Sequence, residues 1–307
     1  MAAQKDTRGA GRRGQRTGQM QGAKAQADQA QVWSPPQPPG LTLMRASFRT
    51  QSFARHSHEG YGVGVIERGA LGFSYRGAGL VAPQGAVNTV NPDEPHTGHS
   101  ASEDGWTYRM FYFSPDFLAQ TAQDMAGRRV PLPFFTSGVI HDPALAALLL
   151  RAHALHQAAD LPNPLLARDC TLLQAFALLL ARHSYEPPRS PRAGDEHAAV
   201  ARVKEYLRSS FDTDASLPSL CLSDLAGIAC LSPYHFIRVF ARHTGLTPHA
   251  WLMQLRTHRA HELLRQGAPI AQAAASAGFA DQSHLTKAFK RLLGYTPGQI
   301  RNSVQGA

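Results

Sequence analysis

The chain has 307 residues, 43% of them hydrophobic, and a formal net charge of +9. That length suits about two domains of roughly 100–200 residues each, with cores of useful size. Three cysteines, Cys170, Cys221 and Cys230, do not make the framework of a disulfide-stapled secreted fold. No apolar run approaches the roughly 20 residues of a membrane helix, and the N-terminus lacks the apolar segment of a secretory signal. The expected location is therefore cytoplasmic, without membrane contact.

Charge is unevenly placed. Residues 1–40 carry six Lys/Arg against two Asp, and residues 41–194 carry thirteen basic against twelve acidic. From Ser232 to Arg301 nine basic residues face only Glu262 and Asp281. A basic end on a neutral body points to a polyanionic partner or to a solvated basic face.

In chain order, residues 1–40 are polar, rich in Gly, Gln and Arg, and end in Ser34-Pro-Pro-Gln-Pro-Pro-Gly40. They read as a disordered basic tail without a core. Residues 41–186 form the next unit. Its first part, to about 115, holds short apolar and aromatic stretches, Tyr61–Ile66, Leu71–Tyr75 and Tyr108–Phe113. Gly- and Pro-rich turns between them predict a sandwich or small barrel. The period then changes, and Pro143–Gln157 and Leu165–Tyr185 carry helical apolar patterns broken by Asp160-Leu-Pro-Asn-Pro164. Residues 187–194 read as a Pro-stiffened linker, and 195–307 as a separate helical domain.

That last domain repeats itself at an offset of 49 residues. Gly245-Leu-Thr-Pro248 recurs as Gly294-Tyr-Thr-Pro297, Phe240 matches Phe289, His235 matches His284, and Arg238 and Arg242 match Lys287 and Arg291. Several matches at one offset make chance a poor account. Each copy predicts a short helix (Ser223–Ala229, Ile270–Ala277), a tight turn and a longer helix. Ser223, Ser232 and Asp281 are the expected N-caps, Pro233 opens the first long helix, and Gly245 and Gly294 stop the two long helices. This is the helix-turn-helix plan. Phe236, Val239 and Phe240 face inward. Tyr234, His235, Arg238 and Arg242, and in the second copy Ser283, His284, Lys287 and Arg291, face outward. Such faces suit base edges and phosphates in a major groove. One rigid helix over Pro248–Gln266 would hold the two units apart.

Leu222-Ser-Asp-Leu-Ala226, Ser232-Pro-Tyr-His-Phe-Ile-Arg-Val-Phe240, Gly245-Leu-Thr-Pro248, Ala274–Phe279 and Phe289–Pro297 resemble the AraC/XylS family of bacterial regulators, over roughly the last 100 residues. The resemblance puts base reading on Tyr234, Ile237 and Arg238 in the first unit and on Ser283, His284 and Lys287 in the second. Ile237 departs from the long polar residue often found there, so it would touch a thymine methyl or read nothing.

His56-Ser-His58, Glu67-Arg-Gly69, Val81–Gly85 and Asn91–His96 resemble, over about residues 45–115, the cupin-like sensor barrel that fronts many such regulators. Cupin enzymes hold a metal with a His-x-His pair, a Glu and a later His. His56, His58 and His96 are the candidate ligands here, and Glu67 comes later than a fourth ligand should. The other reading has these histidines lining or rimming an effector pocket, and no metal or other cofactor is expected. Tyr61, Phe73, Tyr75, Trp106 and Tyr112 line a cavity or are plain core; Arg76 and Arg109 meet an anionic effector or lie on the surface.

The fold class is thus α+β in two domains: an N-terminal cupin-like β-barrel followed by helices, and a C-terminal all-α domain with two helix-turn-helix units. The expected function is sequence-specific transcription regulation, activation by family resemblance, in response to a small-molecule effector in the barrel. The effector-pocket candidates are His56, His58, Tyr61, Tyr75, His96 and Arg109. The expected partners are double-stranded DNA, the effector, a second copy through residues 143–185, and RNA polymerase. No nucleophile with its base stands out, so catalysis is not expected; the alternative is a metal-dependent cupin enzyme fused to a DNA-binding module.

Overall fold

The computed structural model describes residues 28–158, 164–190, 196–210 and 220–300. The expected tail up to residue 27, the helix break at 160–163 and the linker at 191–194 lie outside the described residues. The strands are β1 (Gln29–Trp33), β2 (Leu41–Phe48), β3 (Phe53–His56), β4 (Tyr61–Tyr75), β5 (Ala78–Pro83), β6 (Val87–Val90), β7 (His96–Ser100), β8 (Trp106–Phe113) and β9 (Val139–Ile140). They pair antiparallel in the order β1-β2-β8-β4-β6-β9, with β5 and β7 on β4 and β3 on β7.

Strand β4 changes partners along its length. Tyr61–Gly69 pair with β8 and Gly62–Val65 with β6, whereas Ala70–Tyr75 turn to β5 and β7. The register slips between Ile66 and Arg68, and Gly69 follows at φ 68°. Any side chain at Gly69 would strike the Gly105 carbonyl, so the bend needs glycine.

Alternation divides the sheet into two faces. Tyr61, Val63, Val65, Phe111, Phe113, Leu41 and Leu43 point to a core shared with helices. Ile66, Tyr108, Met110 and Ala46 point to the barrel interior. One correction concerns the tail: residues 1–40 are not coreless throughout, because β1 pairs with β2 from Gln29↔Ser47 to Trp33↔Leu43. Its side chains are mostly exposed. Backbone pairing, with Trp33 edge-on to His153 at 5.0 Å, holds it where side-chain periodicity gave no signal.

The helices are α1 (Pro115–Ala126), α2 (Pro143–Gln157), α3 (Pro164–His183), α4 (His197–Ser209), α5 (Leu222–Ala229), α6 (Pro233–Thr244), α7 (Pro248–Arg265), α8 (Ile270–Ser276) and α9 (Gln282–Leu293). The α+β architecture expected from sequence is present, but α1 was not foreseen. Ser114 caps it, Pro115 opens it and Gly127 closes it at φ 65°, the same signals that mark α6. In α6 and α9 the caps are Ser232 and Asp281, and Gly245 and Gly294 end the helices in left-handed geometry. The expected Ser223 cap is displaced by Cys221, whose N–H donates to the Asp224 carboxylate at 2.9 Å.

Helix α3 belongs to two cores. Leu172, Phe176 and Leu180 pack under the barrel, while Leu166 and Cys170 join the cluster built by α4, α5, α6 and the start of α7. Asp169 accepts the Leu222 N–H of α5 at 3.0 Å. The three cysteines are free thiols, and burial pushes the Cys170 thiol up to about 12.

Asp142 ties the barrel domain's last helices together. It caps α2 through the Leu145 N–H at 3.0 Å and meets Arg182 and His183 of α3, each at 3.0 Å. Burial opposes its charge, but the His183, Leu145 and Arg182 bonds prevail and hold its pKa well below the usual carboxylate range. A depressed folded-state pKa stabilises above the unfolded value and is lost as pH falls. Asp142→Asn should cost about 1–2 kcal/mol at pH 7, and urea melts should show that gap shrinking as pH is lowered through 4.

Candidate functional site

Two sites follow from this frame: the outward faces of α6 and α9, and a cavity inside the barrel. On α9, Ser283, Lys287 and Arg291 are exposed, and His284 is half-buried with its ring edge-on to Phe279 at 5.2 Å. Burial, with Arg256 nearby, lowers the His284 pKa. The N-terminal turn, where recognition helices meet base edges, is open on this helix.

Helix α6 is placed differently. Its Tyr234 N–H donates to the Asp124 carboxylate of α1 at 3.0 Å, and the Tyr234 ring packs against the barrel-domain core. The Tyr234 hydroxyl lies 3.3 Å from Ser190 Oγ. The Arg238 guanidinium stands over the Tyr234 ring, 5.6 Å from its centre, and His235 Nε2 lies 2.9 Å from Glu196. Between α1 and α6 remains a cleft of about 470 Å³, lined in part by Gln120, Asp124, Tyr234, His235 and Arg238. Arg242 is exposed one turn further on.

For Ile237 burial favours the second of its two readings, that it reads no base. It is 6% exposed and lies in the α4–α6 core, beside Phe236 and Phe240 on the inward face, so in this conformation it reaches no base. Nothing in the amphipathic pattern distinguishes it from a boundary residue, which is why the family position alone misplaces it.

The barrel cavity has a volume of about 290 Å³. His56, His58 and His96 all line it, with Phe73, Tyr108, Met110 and Tyr112 among the other walls. The three imidazole centres stand 4.4, 5.0 and 6.4 Å apart. Gly62 makes room for His58, whose Nε2 lies 3.3 Å from where a Cβ would stand. Asn88, 4% exposed, also lines the cavity, and its Oδ1 has no hydrogen-bond partner. Sequence reasoning missed it, although it shares strand parity with the wall residue Val90.

Three other pocket candidates are corrected, Tyr61 and Arg109 by the same parity and Tyr75 by what its hydroxyl meets. Tyr61 faces the helices, stacked on Phe113 with centres 5.6 Å apart and its hydroxyl bonded to the Pro133 carbonyl. Arg109 faces the helices too, bound to Glu67 at 2.8 Å and to His153 and Gln157 at 3.1 Å. Tyr75 is buried with its hydroxyl turned to Glu94 and Asn91, away from the cavity. Trp106 is core, and Arg76 pairs with Glu94 at 2.7 Å. Glu67, engaged by Arg109 and Arg45, stands apart from the histidines. Among the described residues no three His, Cys, Asp or Glu side chains are grouped to hold a metal ion, so the residues do not fit a cupin metal centre and no step is derived through one.

Comparison with known proteins agrees with both halves. The model of the AraC-like ligand binding domain matches residues 38–175, and that of a helix-turn-helix domain matches residues 225–303. The two matches together are those of AraC-type helix-turn-helix transcription regulators. Among the chain's relatives is the uncharacterized HTH-type transcriptional regulator YbfI of Bacillus subtilis (strain 168), 29% identical over 237 residues, which span 76% of this chain and 82% of that one. The HTH-type transcriptional activator RhaS of Escherichia coli (strain K12 / DH10B) is 25% identical over 262 residues, 83% of this chain and 89% of its own. The solved DNA-binding domain of AdpA, in complex with a target DNA, is 26% identical over 35% of this chain and 94% of that one, with a TM-score of 0.31. With both matches this chain is a DNA-binding transcription regulator. No helix among its described residues is long and apolar enough to cross a membrane.

The two recognition helices lead to opposite expectations for two variants. Lys287→Ala should relax base preference at one operator position and cost roughly 1–3 kcal/mol of binding. Ile237→Ala should lower folding stability by roughly 2–4 kcal/mol with base preference unchanged. Selection of bound sequences from random DNA, alongside thermal melting, reads both.

Proposed function

We propose that this regulator is an activator whose barrel binds a small effector and whose first helix-turn-helix unit is held back until it does. The observation that carries the reading is the docking of α6 on α1 through Tyr234 and Asp124. Helix α1 follows β8 after the single residue Ser114, and β8 supplies Tyr108, Met110 and Tyr112 to the cavity wall. A ligand that shifts this strand shifts the helix that covers the reading end of α6. The base readers in this account are Tyr234 and Arg238 on α6 and Ser283, His284 and Lys287 on α9, with Arg242 and Arg291 on phosphates. The effector contacts are His56, His58 and His96.

Activation is supported by the RhaS relative, an activator by name, and contact with RNA polymerase goes with it. The barrel acts as a sensor rather than a catalyst, as in relatives that are regulators. Homodimerisation belongs to the same reading. Because α3 is taken up by the C-terminal domain, the outward Ala144, Ala147 and Ala154 of α2 are the face left for a second copy.

Removing the Asp124 carboxylate tests the docking. A hydrogen bond to a charged acceptor contributes on the order of 1.5 kcal/mol, so Asp124→Ala should bind operator DNA about tenfold more tightly without effector. Fluorescence anisotropy on a selected operator measures it. Unchanged or weaker binding by a variant that melts like the parent protein would overturn the docking.

A further inference from the structure

The polar groups of the barrel cavity define the chemistry of its occupant. Each of the three imidazoles spends its Nδ1 on a backbone carbonyl: His56 on Ala54 at 2.8 Å, His58 on Gly60 at 2.6 Å and His96 on Glu94 at 3.0 Å. A carbonyl only accepts, so in a neutral ring the proton sits on Nδ1 and Nε2 keeps its lone pair. Burial lowers the pKa of His58 and of His96, in keeping with neutral rings. Asn88, 4% exposed, lines the same cavity, with its Oδ1 shielded against Gly64.

What the wall lacks is equally informative: no Asp, Glu, Lys or Arg is among its residues. The remainder is largely Phe, Leu, Val, Met and Tyr, with no acid or base to hold an ion and few partners for a densely hydroxylated one. A cavity of about 150 Å³ accommodates benzene, so 290 Å³ admits a substituted or fused ring or its aliphatic equivalent.

We propose that the cavity binds an uncharged, largely apolar molecule bearing a hydroxyl or N–H donor, which it presents to Nε2 of His58 and His96. Carboxylates are excluded because no Lys or Arg lines the wall to pair a buried negative charge. Sugars are excluded because most of their hydroxyls would meet hydrocarbon. The proposal rests on the reading that this cavity is the effector site.

The test uses the full chain and a series of neutral phenols, phenol, 4-propylphenol and 2-naphthol. They are set against 2-methylnaphthalene, 2-naphthoate and a monosaccharide, with binding followed by calorimetry. At least one phenol should bind. For 2-naphthol, the methyl and carboxylate counterparts should be at least tenfold weaker, the sugar should be silent, and His58→Phe should bring the phenol down to its methyl counterpart. Tighter binding of the carboxylate or the sugar, equal binding of the methyl compound, or no binding by any phenol would overturn it. Met44→Trp and Val90→Phe, checked for unliganded melting, fill the cavity and separate two kinds of failure. If they block a carboxylate or sugar that changes operator affinity, the ligand class is wrong and the effector site stands. If no compound they block changes operator affinity, the effector reading falls with it.

Discussion

The cavity exists because one strand serves two sheets. Strand β4 spends its first half between β6 and β8 and its second against β5 and β7, and the slip at Ile66–Arg68 with Gly69 turns it between them. Everything on the functional side follows from the parity this fixes. Even-numbered residues of β2, β8 and β6, such as Met44, Met110, Tyr112 and Asn88, look inward. Their odd-numbered neighbours, such as Leu43, Phe111, Phe113 and Val87, lie in the core shared with α1, α2 and α3. Cavity and helices therefore lie on opposite faces of the same strands, which is the arrangement a sensor needs if occupancy is to be felt outside the barrel.

That parity also explains what the sequence could and could not tell. The helix-turn-helix units were legible almost to the residue, because caps, left-handed glycines and an internal repeat are local signals. Ser232, Asp281, Gly245 and Gly294 act as read. The histidines were legible as a group from the His-x-His spacing, although β3 ends at His56 and His58 lies beyond it. Tyr61 and Arg109 were misplaced because an aromatic or an Arg in a barrel strand carries no mark of the face it lies on until strand pairing is known, and Tyr75, on the barrel side with Phe73, because its hydroxyl is taken by Glu94 and Asn91. Asn88 was hidden in a four-residue strand, Val87–Val90, buried on both faces. Helix α1 was readable in principle from Ser114-Pro115, but Asp124 gave no sign, since its role depends on a partner 110 residues away.

Magnitudes constrain how the barrel can control α6. A ligand can shift an equilibrium only by its difference in affinity for the two states, and a swing from 1:99 to 99:1 needs about 5.5 kcal/mol. A molecule of the size that fits 290 Å³ can supply several kcal/mol in all, of which only part is differential. The hold of α1 on α6 must therefore be weak. One charge-assisted hydrogen bond and one half-buried tyrosine, with an open cleft beside them, are of that order.

The contact through α3 is of another kind. Leu166 is fully buried and Cys170 nearly so in the C-terminal core, and Asp169 holds the start of α5. Exposing a buried leucine alone costs about 1.5–3 kcal/mol, and leaving the Leu222 N–H unpaired adds more. Separating the domains completely would exceed what a small ligand provides, whereas releasing α1 from α6 would not. The switch this structure permits is thus a local opening at the reading end of α6, with α3 remaining as the fixed seam about which the first unit is freed.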